Sequence, residues 1–251
     1  MQKHYYALRY QVDRDEWRAR AKRALIFQLW KKFHPQAGKK GRMLDFGCGS
    51  GLFISEFEKR YPAIDGYGID IAQETISFCK KRGLRNVYKF SGRQIPFPAG
   101  TFDLVTVIDV LEHIKDDSMT LREINRVLKR GGLAIILVPG HKELYSTRDI
   151  RLQHVRRFEK GELEDKCQKA GLKVMLSKNV DFLLYFILFL MCRLAPKKNG
   201  VPHLTRETAS TNRILNELIY GYEVMEVKLL QYIDFPKGIS IAVAAKKYVI
   251  H

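Results

Sequence analysis

Met43-Leu44-Asp45-Phe46-Gly47-Cys48-Gly49-Ser50-Gly51 decides how this chain folds. The apolar run Arg42 to Phe46 predicts a short strand, the glycines follow as G-x-G-x-G, and Leu52 to Tyr61 resumes helical spacing. Glycine suits such a turn because the backbone bends sharply and approaches a ligand that a Cβ would keep away. A glycine trio alone is weak. Here it leaves a strand and enters a helix, and Asp70 ends the next strand, where an acid accepts hydrogen bonds from a ribose diol. A dinucleotide loop needs a third glycine, and this chain has Leu52 in that place. Asp45 would repel a pyrophosphate but can meet an ammonium group. The residues therefore favour a sulfonium nucleoside with an amino-acid tail over a dinucleotide.

Outward from the loop, the same rhythm continues. On the N-terminal side Trp17, Ala21, Ala24, Leu25, Leu29 and Phe33 recur at helical steps between Asp13 and Phe33, and Pro35 ends the pattern. On the C-terminal side strands are predicted at Gly66–Ile69, Val87–Phe90, Phe102–Ile108 and Leu133–Val138, with helices at Thr75–Arg82 and Ser118–Lys129. A helix at Glu159–Ala170, a strand at Leu172–Ser177 and a last strand at Ile239–Ala245 follow. This alternation predicts an α/β, doubly wound, Rossmann-like sheet of seven strands, mostly parallel with an antiparallel last strand and helices on both faces. The stretch before the last strand is longer than any turn requires and reads as a helical insertion. The expected organisation is a basic helical segment over 1–41, a core over 42–178, an insertion or lid over 179–235, and 236–251 completing the sheet.

Four motifs stand in order: LDFGCGSG, YGIDIA, IPFPAGTFDLVTVIDVLEHI and LKRGGLAIILVPG. Together they resemble the successive motifs of the class I S-adenosylmethionine-dependent methyltransferases, nearest to the quinone-biosynthesis-like (type 11) group. The likeness covers 42–140, with a looser family-like tail in RRFEKGELEDKCQKAGLKV. It implies that Asp45, Gly47, Cys48, Gly49 and Gly51 surround the methionine part of S-adenosylmethionine. Asp70 and Ile71 would take the ribose and adenine, and Asp109, Val110 and Leu111 the inner side of the cofactor. The family usually places an acid four residues before its Leu/Ile-Pro-Phe triplet; here that residue is Ser91, followed by Gly92. A hydroxyl or a backbone carbonyl then has to meet the adenine amino group, which implies weaker adenine selectivity.

Methyl transfer from a sulfonium is an in-line displacement, so the protein chiefly aligns the acceptor and excludes water. A general base is needed when the acceptor starts as a hydroxyl. His113 and His154 are the candidates, against the plainer reading that they only shape the pocket. Tyr145, Arg156 and Arg157, with Arg148 and Asp149 near them, follow the strand ending at Val138, and ligands of doubly wound sheets lie beyond the carboxyl ends of the strands. Paired arginines suit a phosphate or carboxylate.

The chain has 251 residues and a formal charge of +17, with an ordinary apolar content of 46%. Residues 1–42 hold twelve Lys/Arg and three acids, a charge that suits phosphates of RNA, lipid headgroups or substrate, or simply a solvated helix face. The four cysteines lie far apart with no Cys/His cluster, so reduced thiols and no metal are expected. No export signal is evident, and action in the cytoplasm is expected. Phe182 to Cys192 is an unbroken apolar run followed by Arg193, Lys197 and Lys198. It is too short to span a bilayer and suits a buried helix, a lid or an interfacial segment. Leu215, Leu218, Tyr222, Met225 and Leu229 form a helical stripe that could pack against it. The leading expectation is O-methylation of a small hydrophobic, membrane-associated or phosphate-bearing acceptor, with peripheral contact to anionic membrane. An RNA methyltransferase and a non-catalytic S-adenosylmethionine-binding protein are the alternatives; no recognised RNA-binding module accompanies the charge.

Overall fold

Chain order runs α1 (Trp17–Phe33), β1 (Gly41–Phe46), α2 (Leu52–Arg60), β2 (Ile64–Asp70), α3 (Gln73–Lys81), β3 (Val87–Lys89), β4 (Phe102–Ile108), α4 (Asp117–Val127), β5 (Leu128–Pro139), α5 (Thr147–Arg151), α6 (Lys160–Lys169), β6 (Leu172–Val180), α7 (Phe182–Leu194), α8 (Arg213–Leu229) and β7 (Ser240–Lys247). The structure, a computed structural model, describes residues 10–34, 39–194 and 213–248. All seven strands join one sheet in the order β3-β2-β1-β4-β5-β7-β6. β1, β2, β3, β4 and β5 pair in parallel, and β7 runs antiparallel to both β5 and β6. The doubly wound sheet predicted from the alternation of elements is therefore the fold.

The unbroken apolar strands reflect burial on both faces of a parallel sheet. Leu44 and Phe46, Val105 and Val107, and Ala134, Ile136 and Val138 point to one face, where Leu121 and Ile124 of α4 and Leu163 and Cys167 of α6 cover them. Met43, Leu104, Leu133, Ile135 and Leu137 point to the other, against Leu25, Ile26 and Trp30 of α1 and Phe53 and Phe57 of α2. The two-residue alternation of a strand thus feeds two cores at once.

Strand ends differ from the sequence expectation where pairing extends them. β5 starts at Leu128, which pairs with Phe102 before a register shift, so the preceding helix stops at Val127 rather than Lys129. β6 continues to Val180 because Asn179 and Val180 pair with Ile241 and Ser240. The loop expected after Val138 contains α5, opened by a capping box between Ser146 and Asp149.

The basic first helix is packed and paired along one side. Arg20 pairs with Glu217 of α8, Lys22 with Asp109, and Arg23 with Glu56 of α2, while the Trp17 backbone N–H donates to Asn216 Oδ1 at 2.9 Å. Much of its charge is therefore spent inside the molecule.

The stripe on α8 is a correction. Leu215, Leu218 and Met225 face solvent at 43, 67 and 52% exposure, whereas Asn216, Glu223 and Glu226 are buried. Two of these polar residues point inward to serve backbone donors: Asn216 accepts from the Trp17 N–H, and Glu226 from the Phe182 N–H at 3.1 Å. Leu184 and Tyr185 of α7 are buried while Leu183, Phe186, Ile187 and Leu190 are exposed. No helix among the described residues is long and apolar enough to cross a membrane. Lys197 and Lys198, and residues 1–9 of the basic segment, lie outside the described residues.

Candidate functional site

The glycine loop closes over the carboxyl end of β1 and is pinned to β2, since the Gly47 and Cys48 N–H groups both donate to the Ile69 carbonyl, at 2.8 and 3.0 Å. Gly47, Gly49 and Gly51 all take positive φ (80°, 50° and 70°). A Cβ on Gly47 would stand 2.4 Å from Val110 Cγ2, and one on Gly51 would stand 2.3 Å from Leu84 Cδ1. The sequence therefore needs glycine here for conformation and for close approach alike. Cys48 is buried in this loop; its thiol, hydrogen-bonded to Cys79 and desolvated, is pushed well above the ordinary range.

Asp70, at the end of β2, accepts from the Gly49 N–H (3.1 Å) through Oδ2 and from the Ala72 N–H (2.9 Å) through Oδ1. It braces the loop and keeps a lone pair on each oxygen for a diol. Ile71 beside it is 70% exposed, and Ser91 and Gly92 are exposed at the end of β3. The Phe90 N–H donates to the Asp70 carbonyl at 2.8 Å, which brings the chain leading to Ser91 and Gly92 alongside Asp70. Asp45 lies behind the loop, 4% exposed, taking one hydrogen bond from Thr106 Oγ1 at 2.8 Å. Burial pushes its carboxyl up to about 7, the Thr106 bond opposes that, and the nearby Asp70 charge adds to it.

At the end of β4, Asp109 (φ 52°) turns the chain into a short 3₁₀ segment, Leu111–His113. Lys22 of α1 pairs with Asp109 and, against an opposing desolvation, holds its carboxyl below the ordinary value. Leu111 is fully buried and anchors the segment; Val110 sits under Gly47. Glu112 follows into the interior with no exposed surface, and neither carboxylate oxygen has a hydrogen-bond donor. Burial and then the Asp109 charge raise its carboxyl well above the ordinary range.

The two candidate histidines meet at this carboxylate. The Val155 N–H donates to the Glu112 carbonyl at 2.8 Å, which draws the loop after α5 against the 3₁₀ segment. His154 Nε2 then lies 4.0 Å from Glu112 Oε1, and the His113 and His154 rings stand edge to face with centroids 4.9 Å apart. His154 Nδ1–H donates to Asp149 Oδ1 at 2.8 Å, and His113 Nδ1–H to the Gln153 carbonyl at 3.1 Å.

Arg157 is buried, with Nε and Nη2 on Asp149 (2.9 and 3.2 Å) and Nη1 on the Gly140 carbonyl (3.0 Å). Asp149, desolvated yet bonded to His154 and Arg157, is held down at about 2. Arg156 turns the other way, onto Asp117 and Glu162. The two arginines thus do not converge on one point, and their charges are matched by acids of the chain. Tyr145 is half exposed and donates from its hydroxyl to the His154 carbonyl at 2.9 Å. Two other guanidiniums are less well matched. Arg18, one turn before Lys22 on α1, has a buried Nε without a partner, and burial and the like charge of Arg18 push Arg148 down to about 10.

Residues 15–177 match the methyltransferase domain family. The chain belongs to the class I S-adenosylmethionine-dependent methyltransferases. Among similar proteins, norajmaline N-methyltransferase of Rauvolfia serpentina is 30% identical over 58% of this chain and 50% of its own. Ubiquinone biosynthesis O-methyltransferase of Bordetella avium is 34% identical over 36% of this chain and 39% of its own. The methyltransferase spans about half, or less, of the length of these curated relatives. The phosphoethanolamine N-methyltransferase 2 of Haemonchus contortus, solved with S-adenosylmethionine, has the same fold at TM-score 0.60 and 22% identity, over 89% of this chain and 52% of that one.

The residues of the methyltransferase fit this cofactor. Any Cβ on Gly47 would run into Val110 and any on Gly51 into Leu84 and Cys79, so the loop keeps its tight turn only with glycine, and Asp45 is a buried acid on which no cation of the described residues acts, which suits an ammonium. Lys22 and Arg18 are the residues at this end of the sheet that motif spacing does not single out. Only the periodic placement of Arg18 and Lys22 on one face of α1 hints at them.

Proposed function

We propose that this methyltransferase catalyses S-adenosylmethionine-dependent O-methylation of a small hydrophobic, membrane-associated or phosphate-bearing acceptor. Asp45 would hold the methionine ammonium, Asp70 the ribose, and Ile71, Ser91 and Gly92 the adenine. S-adenosylmethionine supplies a methyl group made electrophilic by its sulfonium. The chain's own residues position the acceptor and receive or release the hydroxyl proton.

The observation that carries this reading is the group Glu112, His113 and His154 beyond the end of β4, with His154 oriented by Asp149. A hydroxyl must lose its proton as its oxygen is alkylated, and an imidazole fixed by a carboxylate behind it is suited to that. Arg18 and Arg148 support an anionic group on the acceptor, because a phosphate or carboxylate would balance two like charges held close together. The exposed apolar faces of α7 and α8 support a lipophilic acceptor taken from a membrane surface. The name of the ubiquinone relative agrees with an oxygen acceptor of that kind.

The test is a labelled-methyl transfer screen over lipid, small-metabolite and RNA fractions, with wild type, His154→Ala and Asp149→Asn. The expected outcome is transfer to an alkali-stable ether product in the lipid or small-metabolite fraction, lowered about 10²-fold or more in His154→Ala. Binding of S-adenosylhomocysteine should be unchanged in both variants. Label found only in RNA, or only in N-methyl products, would refute the reading.

A further inference from the structure

Glu112 poses a problem that general-base chemistry leaves open. A buried carboxylate is ordinarily satisfied by several donors, and leaving one without any is costly. Lys22 and Arg157 are near enough to act on it through charge, yet Lys22 is bonded to Asp109 and Arg157 to Asp149 and the Gly140 carbonyl. His154 Nε2 stands 4.0 Å from Oε1, and one nitrogen or oxygen atom from each of Glu112, His113 and His154 lies within 4.8 Å of the other two. Both imidazoles are turned the same way round. Each uses Nδ1–H on an acceptor behind it, the Asp149 carboxylate for His154 and the Gln153 carbonyl for His113. That fixes the tautomer in which Nε2 carries the lone pair. An acceptor behind the distal ring nitrogen is the support that metal-binding histidines receive, and here the support is itself held by Arg157 and the Ser146 cap.

We infer that Glu112, His113 and His154 form a binding site for a divalent transition-metal cation such as Zn²⁺ or Co²⁺. Two imidazole nitrogens and one carboxylate are a donor set these ions accept, and three protein ligands leave positions open for an acceptor oxygen. Metal–ligand bonds of about 2.0–2.2 Å set tetrahedral donors about 3.3–3.6 Å apart, so the 4.0 Å between His154 Nε2 and Glu112 Oε1 must shorten by under an ångström, and any separation as wide as the 4.8 Å limit of the group by about 1.5 Å at most. The second group of comparable residues, His141, Glu143 and Glu159, is different. Lys237 Nζ already stands 2.7 Å from Glu143 Oε1 and 3.4 Å from His141 Nδ1, so an ammonium fills the place a cation would take.

The use of the cation rests on the O-methylation reading; its binding does not. With the cation bound, His154 Nε2 is a ligand and no longer the base it is in the cation-free enzyme; an acceptor hydroxyl on the cation would instead release its proton to solvent more readily. Its oxygen then forms the O–CH₃ bond as the S–CH₃ bond breaks, and S-adenosylhomocysteine leaves with the sulfur electron pair.

The experiment takes the full, untagged chain, strips it with chelator and titrates it with Co²⁺ alone, following ligand-field absorption and calorimetry. One saturable equivalent with visible bands is expected. Glu112→Gln and His154→Ala should lose it, and Asp149→Asn should weaken it about 10–100-fold by loosening His154. His141→Ala should leave it unchanged, and far-UV circular dichroism checks that each variant is folded. No saturable binding, or equal binding by wild type and folded Glu112→Gln, overturns the inference. Methyl transfer that persists in excess chelator, with no Co²⁺ bound, removes the cation and spares the O-methylation reading. Specific Co²⁺ binding without transfer to any hydroxyl acceptor does the reverse.

Discussion

Asp45 couples folding, cofactor and pH in one side chain. Its carboxyl, 4% exposed and with one hydrogen bond from Thr106, is pushed from 3.8 to about 7 by burial. A folded-state value above the unfolded one means that the native protein holds this proton more tightly. Its contribution to stability is therefore greatest below pH 4 and is lost as pH rises toward about 7. A displacement of that size corresponds to about 4 kcal/mol, an order-of-magnitude figure. Asp45→Asn removes the ionisation and keeps an amide oxygen for the Thr106 hydroxyl, at a cost of about 1 kcal/mol for burying its NH₂ group. The expected net gain at pH 8 is about 3 kcal/mol, or about 6–12 °C in Tm for a chain of this size, shrinking to under about 1 kcal/mol at pH 5. Thermal unfolding of both proteins across that range reads the difference directly. Cofactor binding should move the opposite way, because an ammonium needs the ionised acid. At pH 6 only about one carboxyl in eleven is charged, so wild-type Kd for S-adenosylhomocysteine should rise about tenfold from pH 8 to pH 6. Asp45→Asn should bind weakly at both. A flat wild-type Kd between these pH values, or a stability difference between the two proteins that does not change with pH, would refute the reasoning.

Two further outcomes follow from the geometry. Gly47→Ala places a Cβ 2.4 Å from Val110 Cγ2 at a φ of 80°, and should cost about 2 kcal/mol or more in urea denaturation and weaken S-adenosylhomocysteine at least tenfold by calorimetry. The exposed Phe186 and Leu190 on α7 should drive flotation with anionic phospholipid vesicles, and Phe186→Asp with Leu190→Asp should abolish it; flotation that is absent in wild type, or equal in both, removes the membrane surface from the functional reading.

The glycine loop and the acid that braces it are legible in the sequence because they are local. Gly47, Gly49 and Gly51 are forced by backbone conformation, and Asp70 is set by the end of a strand whose boundaries follow from its apolar run. The alternation of strands and helices likewise fixes the sheet, since two-sided burial leaves unbroken apolar runs that no other arrangement of this chain would hide. Arg156 and Arg157 show the limit of such reading. Side by side they look like one anion clamp, yet successive residues point apart, and one meets Asp149 while the other meets Asp117 and Glu162. The α8 stripe misleads for a related reason. Helical periodicity shows that an apolar face exists without showing which way it turns, and here the backbone donors of Trp17 and Phe182 draw Asn216 and Glu226 inward instead.

What the sequence by itself determined is therefore the fold, the family and the glycine loop with the acid that braces it, all governed by short-range conformation and periodicity. The sequence offered His113 and His154 as candidates, but how they group with Glu112 and Asp149 was decided by tertiary structure. Glu112 meets His154 only because the Val155 N–H finds the Glu112 carbonyl across the molecule, and Lys22 reaches Asp109 only because α1 packs between α2 and α8. Whether a charge is matched or left without a partner depends on neighbours distant along the chain, and spacing along a sequence carries no record of them.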